Sequence, residues 1–250
     1  MVDSTRVKVL LSNDDGVHAP GLHALAAALR KLGRVFICAP DTVRSGASSA
    51  LTIHEPLQVH RVAPDCWGVS GNPADAVKVA LRELLPARPD LVVSGINNGL
   101  NTGSNIVYSG TVAAALEGAL AGITSFAVSR EFREDGDFRS EARLAARLVE
   151  RLAGLHPRSS SVFNINIPRG RTRGVVVAAA ELAPFRDRYH RRRDPRGRTY
   201  YWLRGEPPRR LRLDGRPTDE WAVSRGYVSV TPLRRDLTDL RLLEDLERCL

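Results

Sequence analysis

Residues Val7 to Gly16 read VKVLLSNDDG, an apolar run of strand length that ends in two adjacent aspartates. Three more apolar runs follow, and the segments between them carry apolar residues at spacings of three and four, which is typical of helices. Runs that are apolar on both faces are typical of parallel strands covered on both sides. The alternation of strand and helix predicts right-handed crossovers in an α/β fold with an open, doubly wound sheet.

The same criteria place elements along the whole chain. The predicted strands are Val7 to Leu11, Val35 to Ala39, Leu91 to Val93, Thr124 to Val128, Val162 to Ile167, Val175 to Ala179 and Tyr227 to Thr231. The predicted helices are Leu22 to Leu32, Ala74 to Leu85, Thr111 to Ala121, Ser140 to Leu155 and Leu237 to Leu250. We expect one domain over residues 1–250, with a core at 1–180, an extended basic arm at 185–217 and a closing strand and helix at 227–250.

Composition excludes several classes of protein. The 250 residues are 43% hydrophobic and 26% charged, which is typical of a globular protein with one core and an extension. The absence of a leader pattern and of long apolar runs leads us to expect a cytoplasmic protein with no membrane partner. The three scattered cysteines, Cys38, Cys66 and Cys249, indicate neither a disulfide framework nor a structural zinc site.

The net charge of +9 is concentrated in the arm, where twelve arginines stand against four acidic residues between Arg186 and Arg216. Nucleic-acid binding is therefore one hypothesis, because Tyr189 and the cluster Tyr200 to Trp202 could stack on bases. We favour a solvated or subunit-bridging extension, since acidic residues interleave with the arginines. A mixed alternative, in which the arm attracts anionic substrates such as short polyphosphates, stays open.

Ligands of open parallel sheets bind at the carboxyl ends of the strands, and three of the segments that follow predicted strands are unusually polar. They are Ser12 to Gly16, Pro40 to Ser49 and Ser94 to Asn101. Adjacent Asp14 and Asp15 would repel each other without a cation, and hard divalent cations prefer such oxygen ligands. A metal site is one interpretation; the alternative is that one aspartate caps a helix and the other is solvated.

Ser109, Gly110 and Thr111 open a predicted helix and offer free N–H groups, two hydroxyls and a positive dipole end, which suit a phosphate. The alternative is that Ser109 or Thr111 is only an N-cap. A metal and a phosphate at one sheet edge favour phosphoryl hydrolysis. The dinucleotide-binding glycine pattern and the P-loop are both absent, so neither a dinucleotide enzyme nor a P-loop enzyme is indicated.

Five ordered motifs resemble those of the SurE family of survival proteins, which are metal-dependent 5′/3′-nucleotidases. The motifs are Leu11 to Gly16, Ala39 to Asp41 with Arg44 to Ser48, Gly71 to Asp75, Val93 to Asn97, and Tyr108 to Val112. The resemblance implies a Rossmann-like domain and a phosphomonoesterase that hydrolyses nucleoside 5′- and 3′-monophosphates, with a metal-bound water as nucleophile. It also implies one divalent ion per subunit, Mn²⁺ or Mg²⁺.

Carried over by motif, Asp14 and Asp15 are the catalytic residues. The implied metal ligands are Asp14, Asp15, Ser45 and Asn97, and the implied phosphate contacts are Asn101, Ser109, Gly110 and Thr111. Family members form homodimers or homotetramers, which assigns Phe185 to Leu203 and the closing helix to assembly. Other phosphomonoesters are further candidate substrates.

The chain departs from the family pattern at several positions. Leu100, Asn105, Asn72 and Ala76 stand where the family commonly has Pro, Asp, Thr and Cys. No histidine follows Leu233, which leaves Asp236 as a candidate proton donor. A rival hypothesis within the enzymes is a haloacid-dehalogenase-like phosphatase, but its nucleophile position would be Asn13, which lacks the carboxylate needed to form an aspartyl-phosphate.

Overall fold

The computed structural model describes residues 7–155, 161–181, 186–206 and 215–250. Residues 1–6 and 156–160 of the predicted core therefore lie outside the described residues, as do Phe185 and the stretch 207–214 of the predicted arm. Within the ranges just given, none of the helices combines the length and apolarity that crossing a bilayer requires.

A nine-stranded mixed sheet forms the centre of the fold. Its strands are β1 Val7–Ser12, β2 Gly33–Pro40, β3 Val59–Ala63, β4 Cys66–Val69, β5 Leu91–Asn98, β6 Thr124–Arg130, β7 Val162–Ile167, β8 Val175–Val177 and β11 Val228–Leu233. The strand order is β3-β4-β2-β1-β5-β6-β7-β11-β8. Strands β4, β2, β1, β5, β6 and β7 are parallel, whereas β3 and β11 each pair antiparallel with a neighbour. The predicted doubly wound, mostly parallel sheet is confirmed.

Helices cover both faces of this sheet. They are α1 Pro20–Leu29, α2 Pro73–Val79, α3 Asn105–Tyr108, α4 Gly110–Leu120, α5 Arg139–Ala153, α6 Asp219–Ser224 and α7 Leu240–Cys249. Residues of α1 and α5 pack with Val9 and Leu11 on one face, and residues of α2 and α4 pack with Leu10 and Val92 on the other. A buried layer on each side is the arrangement that apolar runs on both faces of a strand require.

Most predicted elements differ from the structure by one to five residues at an end, and the largest extension is that of β5, which is predicted to end at Val93 and ends at Asn98. Three of the differences have a structural cause or consequence. The helix predicted over Ala74 to Leu85 is α-helical only to Val79 and continues as a turn of π-helix, Ala80–Leu84. The strand predicted over Val175 to Ala179 ends at Val177, and Ala179 forms an isolated bridge with Thr218. The helix predicted over Leu22 to Leu32 begins two residues earlier, at Pro20, because proline suits the first helical turn.

The arm forms an antiparallel hairpin, β9 Arg186–Arg193 and β10 Thr199–Glu206, which is a sheet of its own. Its aromatic side chains are largely exposed: Tyr189, Tyr201 and Trp202 each keep more than half of their surface in contact with solvent. A two-stranded hairpin is marginally stable on its own. The arm thus presents apolar and basic side chains that the described part of its own chain does not cover.

Candidate functional site

The order of the strands reverses between β1 and β5, since β2 lies beside β1 and β6 lies beside β5. Such a switch point leaves a crevice outside the carboxyl ends of the two strands, where ligands of open α/β sheets bind. Asp14 and Asp15 follow β1 directly, and Asn97 and Asn98 end β5. The fold therefore brings together two of the polar segments that the sequence singles out.

Asp14 is buried, with 5% of its surface exposed. The hydroxyl of Thr111 donates a hydrogen bond of 2.5 Å to its Oδ1. The pKa of Asp14 is raised to about 6: burial is the main cause, the neighbouring Asp15 acts in the same direction, and the Thr111 hydrogen bond acts in the opposite one. A cation bound here would stabilise the charged carboxylate, because hydrogen bonds only partly offset its desolvation.

Asp15 is half-buried, and burial raises its pKa as well, while the backbone N–H of Asn98 lowers it. Beside it, the side-chain nitrogen of Asn97 donates to the carbonyl of Gly99 at 2.8 Å. That bond uses the donor end of the amide, so its oxygen remains as a potential ligand for a cation. The two aspartates and the end of β5 thus form one polar site.

Ser45 is exposed and lies on a loop that contacts this site. The preceding Arg44 donates its backbone N–H to the carbonyl of Asp14 at 2.7 Å. At the far end of the loop, Ser48 bonds through its hydroxyl to Val107 at 2.7 Å. The structure therefore places Ser45 next to a residue that is bonded to the Asp14 backbone, and the two hydrogen bonds join the loop to the turn after β1 and to α3.

The donor set fits a hard divalent cation, because it consists of carboxylate, amide and hydroxyl oxygens. Across the described ranges, His, Cys, Asp and Glu side chains nowhere gather in groups of three or more suited to a metal ion. A cation at Asp14 and Asp15 would thus need neutral oxygens, such as those of Asn97 and Ser45, as further ligands.

The start of α4 lies against Asp14. A Cβ added to Gly110 would lie 2.8 Å from the Asp14 Cβ, so this close approach requires glycine. Ser109 is the N-cap of α4 and accepts from the Val112 N–H at 3.1 Å, as the capping alternative predicts. Because Thr111 also directs its hydroxyl to Asp14, the first turn of the helix is in direct contact with the aspartate.

Asn101, in the loop after β5, is held by a buried network of polar side chains. Its side chain donates to the Ser129 hydroxyl at 2.8 Å, and its backbone N–H donates to Asn166 at 2.8 Å. Asn164 and Asn166 both donate to its carbonyl. These bonds connect the loop after β5 to the ends of β6 and β7, so Asn101 lies at the same sheet edge as Asp14.

Two further candidate residues have other places. The side chain of Asn13 bonds to both the N–H and the carbonyl of Gly16 and so holds the turn after β1. Asp236 follows Leu233, which pairs with the first residue of β7, at the edge of the sheet opposite to Asp14. The Thr238 N–H lowers the pKa of this exposed carboxyl. Asp236 is therefore a poor proton donor for the site of its own chain.

Asn98 and Arg130, which are not among the predicted site residues, organise the next loop at this edge. Arg130 is 1% exposed, donates through Nε to the Asn98 Oδ1 at 2.9 Å and lies over the Phe138 ring. A signal was present: the segment after β6, Glu131 to Asp137, is densely charged and also follows the carboxyl end of a strand.

Comparison with known proteins places the chain in a family. The family model described as "Survival protein SurE" matches residues 9–188. A protein from Pelotomaculum thermopropionicum named 5′-nucleotidase SurE is 43% identical over 98% of this chain and 95% of that protein. One of the same name from Vibrio cholerae is 44% identical over 98% of this chain and 93% of that protein.

A solved structure agrees with these sequence matches. The crystal structure of the SurE protein from Aquifex aeolicus superimposes with a TM-score of 0.85 at 39% identity, covering 97% of this chain and 99% of that one. The family match spans the crevice, the two aspartates and the start of α4. The chain belongs to the SurE family.

Proposed function

We propose that this protein is a nucleotidase that hydrolyses nucleoside 5′- and 3′-monophosphates to nucleoside and phosphate with the help of a divalent cation. The observation that carries the proposal is the contact between two elements at the switch point. A buried aspartate after β1 accepts a hydrogen bond from the first turn of α4, so cation ligands and a helix N-terminus face one crevice. The relatives named 5′-nucleotidase SurE support the choice of substrate.

Asp14, Asp15, Asn97 and Ser45 would hold one Mn²⁺ or Mg²⁺ per subunit. Bound there, the cation would polarise a phosphoryl oxygen and lower the pKa of water. Asp14 and Asp15 supply the negative charge that binds the cation, and Thr111 keeps the Asp14 carboxylate oriented through its hydroxyl.

The first N–H groups of α4 would bind the phosphate, because a helix N-terminus favours anions. The further phosphate contacts would come from Asn101, Ser109, Gly110 and Thr111. Water attacks the phosphorus, the bond from phosphorus to the ribose oxygen breaks, and the nucleoside leaves with a proton on that oxygen. Asn101 would contact the phosphate from a fixed position, since it is hydrogen-bonded to Ser129 and Asn166.

The test is phosphate release from a panel of nucleoside 5′- and 3′-monophosphates, first with EDTA and then with added Mn²⁺ or Mg²⁺. We expect release that EDTA abolishes and added metal restores. Release that continues undiminished in EDTA would refute the metal dependence, and no release from any nucleotide would refute the activity.

We also propose that the hairpin and α7 join subunits into a homodimer or homotetramer. The supporting observation is apolar surface on both elements, including Trp202 and Leu203 on the hairpin and Leu242 and Leu243 on α7. Light scattering on the wild type and on a variant lacking residues 237–250 measures the mass. A monomeric wild type would refute the assembly.

A further inference from the structure

A cavity of about 470 Å³ adjoins the candidate metal site and is not used by the reaction described above. Asp15 forms part of its wall, the start of α1 forms a second part, and the loop between β6 and α5 forms the third. Small-molecule sites have volumes of about 300 to 1,000 Å³. The cavity thus has the size of a ligand site and opens beside one of the two aspartates.

The loop that forms the third wall is held by the buried guanidinium of Arg130. Arg130 is almost fully buried, its guanidinium lies 3.5 Å from the centre of the Phe138 ring, and it bonds to the carbonyl of Asp137. Glu141 and Asp135 balance its charge at 4.0 and 3.5 Å. Because a buried charge that loses its partner is costly, Arg130 keeps these contacts, and the wall has its shape before a ligand binds.

Asn98 connects this wall to the aspartates. Its side-chain oxygen accepts from Arg130 at 2.9 Å and from the Arg133 N–H at 3.2 Å, and its nitrogen donates to the Arg133 carbonyl at 2.9 Å. The backbone N–H of the same residue interacts with the Asp15 carboxylate. The cavity wall and the candidate metal site therefore share one residue and keep a fixed geometry relative to each other.

The chemistry of the wall suits a flat, uncharged, polar ring rather than a phosphate. Phe132 keeps 60% of its surface exposed at the cavity and offers an aromatic face. Glu134 adds a carboxylate acceptor, whereas the guanidinium of Arg133 is engaged by Glu141 and Asp135. A phosphate would meet carboxylates here without a free cation, so the charged end of a substrate belongs on the α4 side.

We propose that this cavity is the nucleoside subsite, in which the base of a nucleotide stacks on Phe132 while its phosphate lies at the start of α4. The inference rests on the proposed function, because it assumes that the substrate is a nucleotide. Stacking of a base on an aromatic side chain is sequence-tolerant, since every base has a π face. A subsite of this kind would accept different nucleosides.

The experiment compares Phe132→Ala with the wild type on adenosine 5′-monophosphate and on ribose 5-phosphate, which lacks the base. Base stacking changes affinity by about 5- to 150-fold. We expect Phe132→Ala to lower the ratio of kcat/KM for the nucleotide to kcat/KM for the sugar phosphate by a factor in that range, relative to the wild type. Phe132→Trp, which keeps an aromatic face, should restore the ratio. Leu155→Ala, an exposed change outside the cavity, should leave both rates at the wild-type values.

Titration with adenosine, which carries no phosphate, separates this proposal from the activity. Saturable binding that Phe132→Ala weakens supports the subsite even if no nucleotide is hydrolysed, an outcome that would refute only the proposed function. An unchanged ratio together with unchanged adenosine binding in Phe132→Ala would overturn the subsite while leaving the nucleotidase intact.

Discussion

The hydrogen bond from Thr111 to Asp14 offers the sharpest test of how α4 supports the site. Thr111→Val keeps the size of the side chain and removes the only hydroxyl that the described residues direct at Asp14 Oδ1. Both residues are buried, with 0% and 5% of their surfaces exposed, so bulk water cannot replace the donor freely.

A hydrogen bond to a charged group contributes about 1.5 to 3 kcal/mol, and loss of a residue that orients a metal ligand costs about 10- to 100-fold in affinity or activity. We therefore expect Thr111→Val to raise the Mn²⁺ concentration for half-maximal activity by about 10- to 100-fold. Excess metal should recover part of the rate, because the aspartates themselves are retained.

The assay is phosphate release as a function of Mn²⁺ concentration, with calorimetric titration of the metal in parallel. Thr111→Ser should recover most of the affinity because it restores the hydroxyl. Thr124→Val is the matched control, because Thr124 is the first residue of β6 and lies at the edge of the sheet opposite to the site. Its metal dependence should match that of the wild type. An unchanged metal dependence in Thr111→Val would refute the role of this hydrogen bond.

Two further changes probe the same edge of the sheet. Gly110→Ala places a methyl group 2.8 Å from the Asp14 Cβ and should lower kcat/KM for every phosphomonoester by about 100-fold, whereas Gly154→Ala, which meets only ordinary contacts, should leave it unchanged. Asp219 accepts from the Gly103 N–H at 2.8 Å and so supports the Asn101 loop; Asp219→Asn should lower the free energy of unfolding by about 1 to 3 kcal/mol in chemical denaturation. Burial raises the pKa of Asp219, so the folded protein keeps a proton on this carboxyl above about pH 4, where the unfolded chain loses it. The stability of the wild type therefore falls as the pH rises from about 4 to the raised pKa, and its advantage over Asp219→Asn should shrink over the same range. A constant advantage across that range would contradict the raised pKa.

The central elements of the fold could be predicted because their signal is local. Apolar runs such as Val162 to Ile167 coincide with their strand in both bounds. The hairpin of β3 and β4 was not predicted, because Val59–Ala63 lies at the sheet edge with side chains that are half-buried or exposed and so lacks an apolar run. The short helices α3 and α6 have four and six residues, too few for a helical periodicity to be recognised.

In the candidate site, too, the residues with a local sequence signal could be predicted and the others could not. Asp14 and Asp15 are recognisable because they are adjacent and directly follow a strand. The role of Asn98 depends on Arg130 and Arg133, which are 32 and 35 residues away in the chain, and no local pattern reports such contacts. The position of Asp236 likewise depends on the antiparallel direction of β11, which an apolar run does not specify.

The most direct test of the proposed metal-dependent nucleotidase site is phosphate release from nucleoside monophosphates by Asp14→Asn and Asp15→Asn in saturating Mn²⁺. Asp65→Asn is the control, because Asp65 pairs with Arg34 on the surface and has a positive φ that asparagine tolerates. We expect nearly complete loss of turnover in both site variants, with the fold intact by circular dichroism and the control fully active. Wild-type turnover in both Asp14→Asn and Asp15→Asn would contradict the role of the two aspartates.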